Sequence, residues 1–130
     1  MKVKTHIAVG IVCTLPLIGA VSPIAFLGVL GSFVPDFDVN LPIKHRTITH
    51  SLLALFLTTL FISSFNYQIA LVWSINYFSH LFLDSCTRSG VPWLYPFNKK
   101  CYGLKLIKTG ESEDLFICLI AIFIIASRFM

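Results

Sequence analysis

The chain has 130 residues, of which 56% are hydrophobic and only 12% charged, and its net charge is +4. That length suits one domain built on one core. A soluble domain carries about 25% charged residues, so this chain is too charge-poor to coat a soluble particle, and its apolar content excludes disorder.

A small integral membrane protein remains, and the apolar runs can be read in chain order. His6 to Ala20 is the first run, ended by Val21-Ser22-Pro23, and Ile24 to Val34 is the second. Pro35 stops the second run, because the residue before a proline is pushed out of helical geometry. Asp36 to Thr49 reads as a polar loop with Asp36-Phe37-Asp38 extended, and Thr49 as the N-cap of a third run, His50 to Ser64. Residues 65–68 read as a turn before a fourth run, Ile69 to Asp84. Cys86 to Gly110 is a loop rich in Pro, Gly, Lys and aromatic residues, with Trp93, Tyr95 and Phe97 suited to a membrane interface. Glu111, Glu113 and Asp114 favour a helix N-terminus through the dipole, and Leu115 to Ala126 is the fifth run. The expected fold is all-α: a small polytopic membrane bundle of four to five short helices. The run His50 to Ser64 measures roughly 22 Å, short of a hydrocarbon core of about 30 Å. Lys2, Lys4 and the first run also fit a signal peptide, but Pro16 interrupts that run and long apolar runs follow it.

The ten basic residues all lie outside the apolar runs or at their ends, which is where an inserted chain keeps its cations. A nucleic-acid partner would require a basic face on a soluble module, and none is visible. Cys13 and Cys118 sit inside apolar runs, and Cys86 and Cys101 form no metal or disulfide pattern; all four read as reduced thiols.

Alternating direction through the runs gathers the polar residues. His6 starts the first run, Asp36 and Asp38 follow the second, His50 opens the third, and His80 and Asp84 close the fourth. Antiparallel neighbours joined by short turns bring all six to one end. Every basic residue except Arg128 falls at that end, which the positive-inside rule makes cytoplasmic. His80 and Asp84 are four residues apart and project from one helix face. Ionisable groups within an apolar segment are expensive and usually functional. Imidazoles with carboxylates and no thiolate suit zinc, with manganese or iron as alternatives. Six candidate donors exceed what one tetrahedral ion takes, which leaves room for two. Arg46 lies in His45-Arg46-Thr47-Ile48-Thr49-His50 and suits bidentate binding of a phosphate oxyanion. Asn76 and Tyr77 read as buried hydrogen-bonding groups.

Three ordered motifs, Pro35-Asp36-Phe37-Asp38, His45-Arg46-Thr47-Ile48-Thr49-His50-Ser51 and Ser79-His80-Leu81-Phe82-Leu83-Asp84, are followed by Gly90-Val91 and Trp93-Leu94-Tyr95-Pro96-Phe97. Together they resemble the YdjM-type family, described as bacterial inner-membrane, metal-dependent hydrolases. The resemblance covers most of the chain, from Lys4-Thr5-His6 to the final helix. It assigns the family's polar signature to His6, Asp36, Asp38, His45, Arg46, His50, His80 and Asp84. Thr47 stands where glycine is common, and Val39 where a histidine often follows the second acid, which removes one ligand from a second metal site. Glu113 or Asp114 would fill the place of a glutamate typical near the last helix. The His-x-x-x-Asp pair is also similar to that of zinc-dependent phospholipase C and related nucleases.

The sequence thus leads to residues 1–130 as one membrane-embedded, metal-dependent hydrolase-like domain in the bacterial cytoplasmic membrane, multi-pass, with its site on the cytoplasmic side. Membrane lipids surround it, and a phosphoester such as a phospholipid headgroup is the expected substrate. His6, Asp36, His50, His80 and Asp84 would hold the metal, Asp38 or His45 would act as base or orient a ligand, and Arg46 would hold the oxyanion. The alternative is a non-enzymatic membrane protein with a structural metal site or a transport role. Transport is disfavoured because the turns around Ser22 and Asn66, at the opposite end, carry no charge.

Overall fold

The first apolar run gives helix α1 (Val3–Thr14), which tightens into a short 3-10 turn at Leu15–Leu17 where Pro16 enters. The structure, a computed structural model, describes residues 1–40 and 47–130. Among these, every regular element is helical and strand pairing is confined to three isolated bridges, which places the fold in the all-α class.

The second run is not an α-helix. Pro23–Ser32 winds as a 3-10 helix, unusually long for a form that rarely exceeds four residues. Its sequence explains this, because the pattern repeats every three residues. Ala25, Gly28 and Gly31 face inward, while Ile24, Leu27 and Leu30 face outward. The inward ridge lies on the backbone of the fourth run: a Cβ on Gly28 would sit 2.5 Å from the Trp73 amide nitrogen, and one on Gly31 2.7 Å from the Trp73 carbonyl oxygen. Pro35 opens a further 3-10 segment, Val34–Asn40, so Asp36-Phe37-Asp38 is coiled where extended backbone was expected.

A 3-10 turn at Ile48–His50 leads into α2 (Leu52–Ser63). Its cap is Ser51, whose hydroxyl accepts from the Ala54 amide at 3.1 Å; Thr49, the expected cap, is used elsewhere. Asn66 caps α3 (Tyr67–Ser85) by accepting from the amides of Gln68 and Ile69, so the connecting turn is shorter than residues 65–68. α3 is the central element, in contact with α1, α2 and the long 3-10 helix. After it the loop folds back, pairing Val91 with Tyr102 through two 2.9 Å backbone bonds. Trp93, half-buried, packs against the cluster of Trp73, Tyr77, Leu81 and Val91. α4 (Ser112–Phe129) carries Glu113 and Asp114 in its first turn and packs on α1 through Ala8, Cys118 and Ala121.

Burial is inverted relative to a soluble domain. Nine of the twelve largest fully buried side chains among the described residues are polar or ionisable, while α2 and α4 expose Phe56, Phe61, Phe116 and Phe123. No helix among the described residues is long and apolar enough to cross a membrane. α3, the longest at 19 residues, carries Gln68, Asn76, His80 and Asp84, and α4 carries three charges.

Candidate metal centre

Four segments deliver the polar residues to one end of α3. His80 and Asp84 occupy its last turns, and His6 lies in α1 alongside. Asp36 comes from the 3-10 segment after the long 3-10 helix, and His50 from the turn before α2. The turn is held from two sides: the Tyr77 hydroxyl donates to the Thr49 carbonyl at 2.5 Å, and the Leu52 amide donates to the Trp93 carbonyl at 3.0 Å. Asn76, one turn before His80, donates to Thr14 Oγ1 at 2.9 Å and ties α3 to α1.

Asp36, His50, His80 and Asp84 each offer a ligand atom, all within 4.8 Å of one another. His50 Nε2 lies 3.2 Å from His80 Nε2, 3.5 Å from Asp36 Oδ1 and 3.5 Å from Asp84 Oδ2. His80 Nε2 lies 3.6 Å from Asp36 Oδ1 and 3.8 Å from Asp84 Oδ2. A tetrahedral ion with bonds of 2.0–2.2 Å requires donor separations of about 3.4 Å, and these five distances bracket that value.

The protons point the same way. His80 Nδ1 is 2.8 Å from the Ser32 carbonyl oxygen, which can only accept, so Nδ1 carries the hydrogen and the neutral ring presents a bare Nε2. Thr49 Oγ1 donates to Asp38 Oδ2 at 2.6 Å and lies 3.0 Å from His50 Nδ1. Its oxygen therefore accepts from the imidazole, which turns His50 Nε2 toward Asp36, His80 and Asp84. Two imidazole nitrogens 3.2 Å apart between two carboxylates form a site suited to a cation. Burial disfavours a charged His50, but hydrogen bonding to Asp36 and Asp84 outweighs it and raises the imidazole's affinity for a proton. Burial likewise opposes ionisation of Asp36, and the contact with His50 leads the interactions that reverse it, holding the carboxyl below its ordinary range. A field that retains a proton on His50 also attracts a metal ion.

His6 sits beside this group. Its ring stacks on His80 at 3.9 Å between centroids, and its Nε2 is 3.2 Å from Asp84 Oδ1. The α-ammonium of Met1 touches the same carboxylate oxygen. Asp38 takes no place among the four clustered donors; it reaches His50 through Thr49, with Oδ2 3.5 Å from Nδ1. His45 and Arg46 lie outside the described residues. Of the two late acids, Glu113 is exposed, whereas Asp114 is buried and accepts from Thr5 Oγ1 at 2.7 Å and from the Lys2 and Gly110 amides. Asp114 thus fixes the start of α1 next to His6. Sequence reasoning missed Ser32, whose carbonyl orients His80, and the use of Thr49 as an orienting residue. A backbone acceptor leaves no trace in sequence, and Thr49 looks the same as a helix cap. A cleft of about 120 Å³ lined by Val3, Phe33, Asp36 and Phe37 opens beside the cluster.

The family model described as YdjM inner membrane protein matches residues 1–130, the whole chain. No curated protein and no solved structure matches it.

Proposed function

The chain belongs to the YdjM family of inner membrane proteins, and on that premise we propose that it is a membrane-embedded, metal-dependent hydrolase, residues 1–130 forming one domain that acts on a phosphoester such as a phospholipid headgroup. The observation that carries this reading is the pair of imidazole nitrogens, 3.2 Å apart, framed by the half-buried Asp36 carboxylate and the buried Asp84 carboxylate. Asp36, His50, His80 and Asp84 would hold the divalent ion, with zinc favoured over manganese or iron because the donors are two nitrogens and two oxygens in a tetrahedral frame. When bound, the ion supplies Lewis acidity toward a phosphoryl oxygen and a water that ionises near neutral pH. Asp38 acts through Thr49, keeping the His50 ring turned toward the ion, as outer carboxylates do for metal-ligating imidazoles. Arg46 is the proposed oxyanion partner.

The membrane part of the proposal rests on the inverted burial: a polar interior inside an exposed coat of Leu, Ile and Phe suits lipid as solvent. The cleft beside Asp36 is rimmed by Val3, Phe33 and Phe37, which suits a substrate with an apolar portion next to its polar group. The nine basic residues on the histidine side favour a cytoplasmic site.

The test uses protein purified in detergent with a C-terminal tag. Metal content is measured, and phosphodiester release from phospholipid vesicles is compared for wild type and Asp84→Asn. Bound metal with lipid hydrolysis that the substitution abolishes is the expected result, and full activity in Asp84→Asn would refute the assignment. A second reading, a metal staple without catalysis, is favoured by one feature: four protein donors already complete a tetrahedron, as in structural sites. It predicts bound metal and loss of thermal stability on chelation, with no hydrolysis of any phosphodiester.

A further inference from the structure

Resting on the metal reading above, we infer that the Asp84 carboxylate bridges two cation positions, the second formed by His6 Nε2 and Asp84 Oδ1. The two oxygens of Asp84 face different partners. Oδ2 points at His50 and His80, at 3.5 and 3.8 Å. Oδ1 lies 3.2 Å from His6 Nε2 and carries the Met1 ammonium. His6 is only 1% exposed, yet neither ring nitrogen has a hydrogen-bond partner among the described residues. A buried imidazole without a hydrogen bond is costly, and a ligand at Nε2 removes that cost. The Met1 ammonium shows that this oxygen pairs with a positive group, and a divalent ion at the position would displace it.

The second position differs from the first in what it leaves open. Asp36, His50, His80 and Asp84 Oδ2 supply four donors to the first ion. His6 and Asp84 Oδ1 supply two to the second, so with the Met1 ammonium displaced the rest of its coordination sphere would fall to water or to oxygens of a substrate. The cleft lined by Val3, Phe33, Asp36 and Phe37 opens beside Asp36, a member of the same cluster. Two divalent ions sharing a carboxylate lie about 3.5–4 Å apart, the spacing of sites that clamp the attacking and leaving oxygens of a phosphoester. The ligand class is therefore a pair of divalent cations, with the outer one exchangeable and open to a phosphate oxygen.

Two measurements test this. Elemental analysis of wild type equilibrated with zinc should give about two ions per chain, and His6→Ala should retain about one. One ion in both proteins would overturn the second position and leave the first intact, whereas no ion in wild type would overturn both. Because His6→Ala removes a buried ring, wild type loaded with Mn²⁺ is also examined by electron paramagnetic resonance, which requires no substitution. A spin-coupled pair is expected, and a simple mononuclear six-line spectrum at saturating metal would refute the bridge.

Discussion

Replacing Thr49 by valine isolates the contribution of a single hydroxyl to the metal centre. Valine preserves the β-branch and volume of threonine, and the Tyr77 hydroxyl holds the residue through its carbonyl oxygen, so the turn before α2 keeps its backbone anchor. What is lost is the oxygen 2.6 Å from Asp38 Oδ2 and 3.0 Å from His50 Nδ1. Hydrogen bonds to charged groups contribute about 1.5–3 kcal/mol, and loss of an outer partner of a metal-bound imidazole typically weakens binding by roughly 10- to 100-fold. The two figures agree, since a decade of affinity corresponds to about 1.4 kcal/mol. Thr49→Val should therefore raise the zinc Kd roughly 10- to 100-fold, read by competition with a chromophoric chelator in detergent. Thr49→Ser keeps the hydroxyl and should stay within about threefold of wild type by the same reasoning. Unchanged affinity in a folded Thr49→Val protein would show that His50 is oriented by something other than the Asp38–Thr49 pair.

Three other outcomes follow from the same geometry. Gly28→Ala places a Cβ 2.5 Å from the Trp73 amide nitrogen and 2.6 Å from the Ile69 carbonyl oxygen; backbone cannot retreat as a side chain can, so unfolding experiments should show a loss of about 1–3 kcal/mol. Asn66→Ala removes the acceptor for the Gln68 and Ile69 amides and should destabilise the protein by about 1 kcal/mol with metal affinity unchanged, because this turn lies at the end of α3 opposite His80. Metal affinity should fall on acidification, since the ligands must be deprotonated to bind. His50 is raised by its carboxylate neighbours, so proton competition begins above the ordinary imidazole range; a chelator titration at stepped pH that showed constant affinity down to that range would contradict the field described around His50.

The convergence of His6, Asp36, His50, His80 and Asp84 was legible because it depends only on the number of apolar runs and the alternation of their direction. Neither quantity changes when an element is 3-10 instead of α, or when a boundary moves by two residues. The nature of the second run was written in the sequence as well: Ile24, Leu27 and Leu30 recur every three residues, as do Ala25, Gly28 and Gly31, and a period of 3.0 is the 3-10 repeat. A reading that looked only for apolar content passed over it. The cap of α2 was not legible, because Thr49 and Ser51 both satisfy the capping preference. Tertiary structure decides between them: Asp38 and His50 engage the Thr49 hydroxyl, and Ser51 takes the cap. The same coupling explains Asp36 and Asp38. Coiled backbone sends one carboxylate to Nε2 and the other to Nδ1 of a single imidazole, which an extended stretch would not require.

The fold and the candidate centre draw on the same residues. The apolar core proper is small, four fully or nearly buried side chains around Trp73 and Tyr77 and three around Ala8, while the largest buried groups are imidazoles, carboxylates, hydroxyls and an amide. A core of that size supplies little specificity at the histidine end of the bundle, where α1, α3, the Asp36 segment and the His50 turn meet without a shared hydrophobic cluster among the described residues. Their junction is instead written in charge: Asp84 contacts His6, His50 and His80, so one carboxylate spans three of the four segments. Buried charges of this kind add little stability by themselves, and removing one partner is more damaging than never having had the pair. The arrangement would become favourable with an ion neutralising the two acids between the imidazole nitrogens, so that binding free energy would also be folding free energy. On this argument the centre is where the chain closes on itself, and the far end, held by the Gly28 contacts with α3 and by the Asn66 cap, is independent of it.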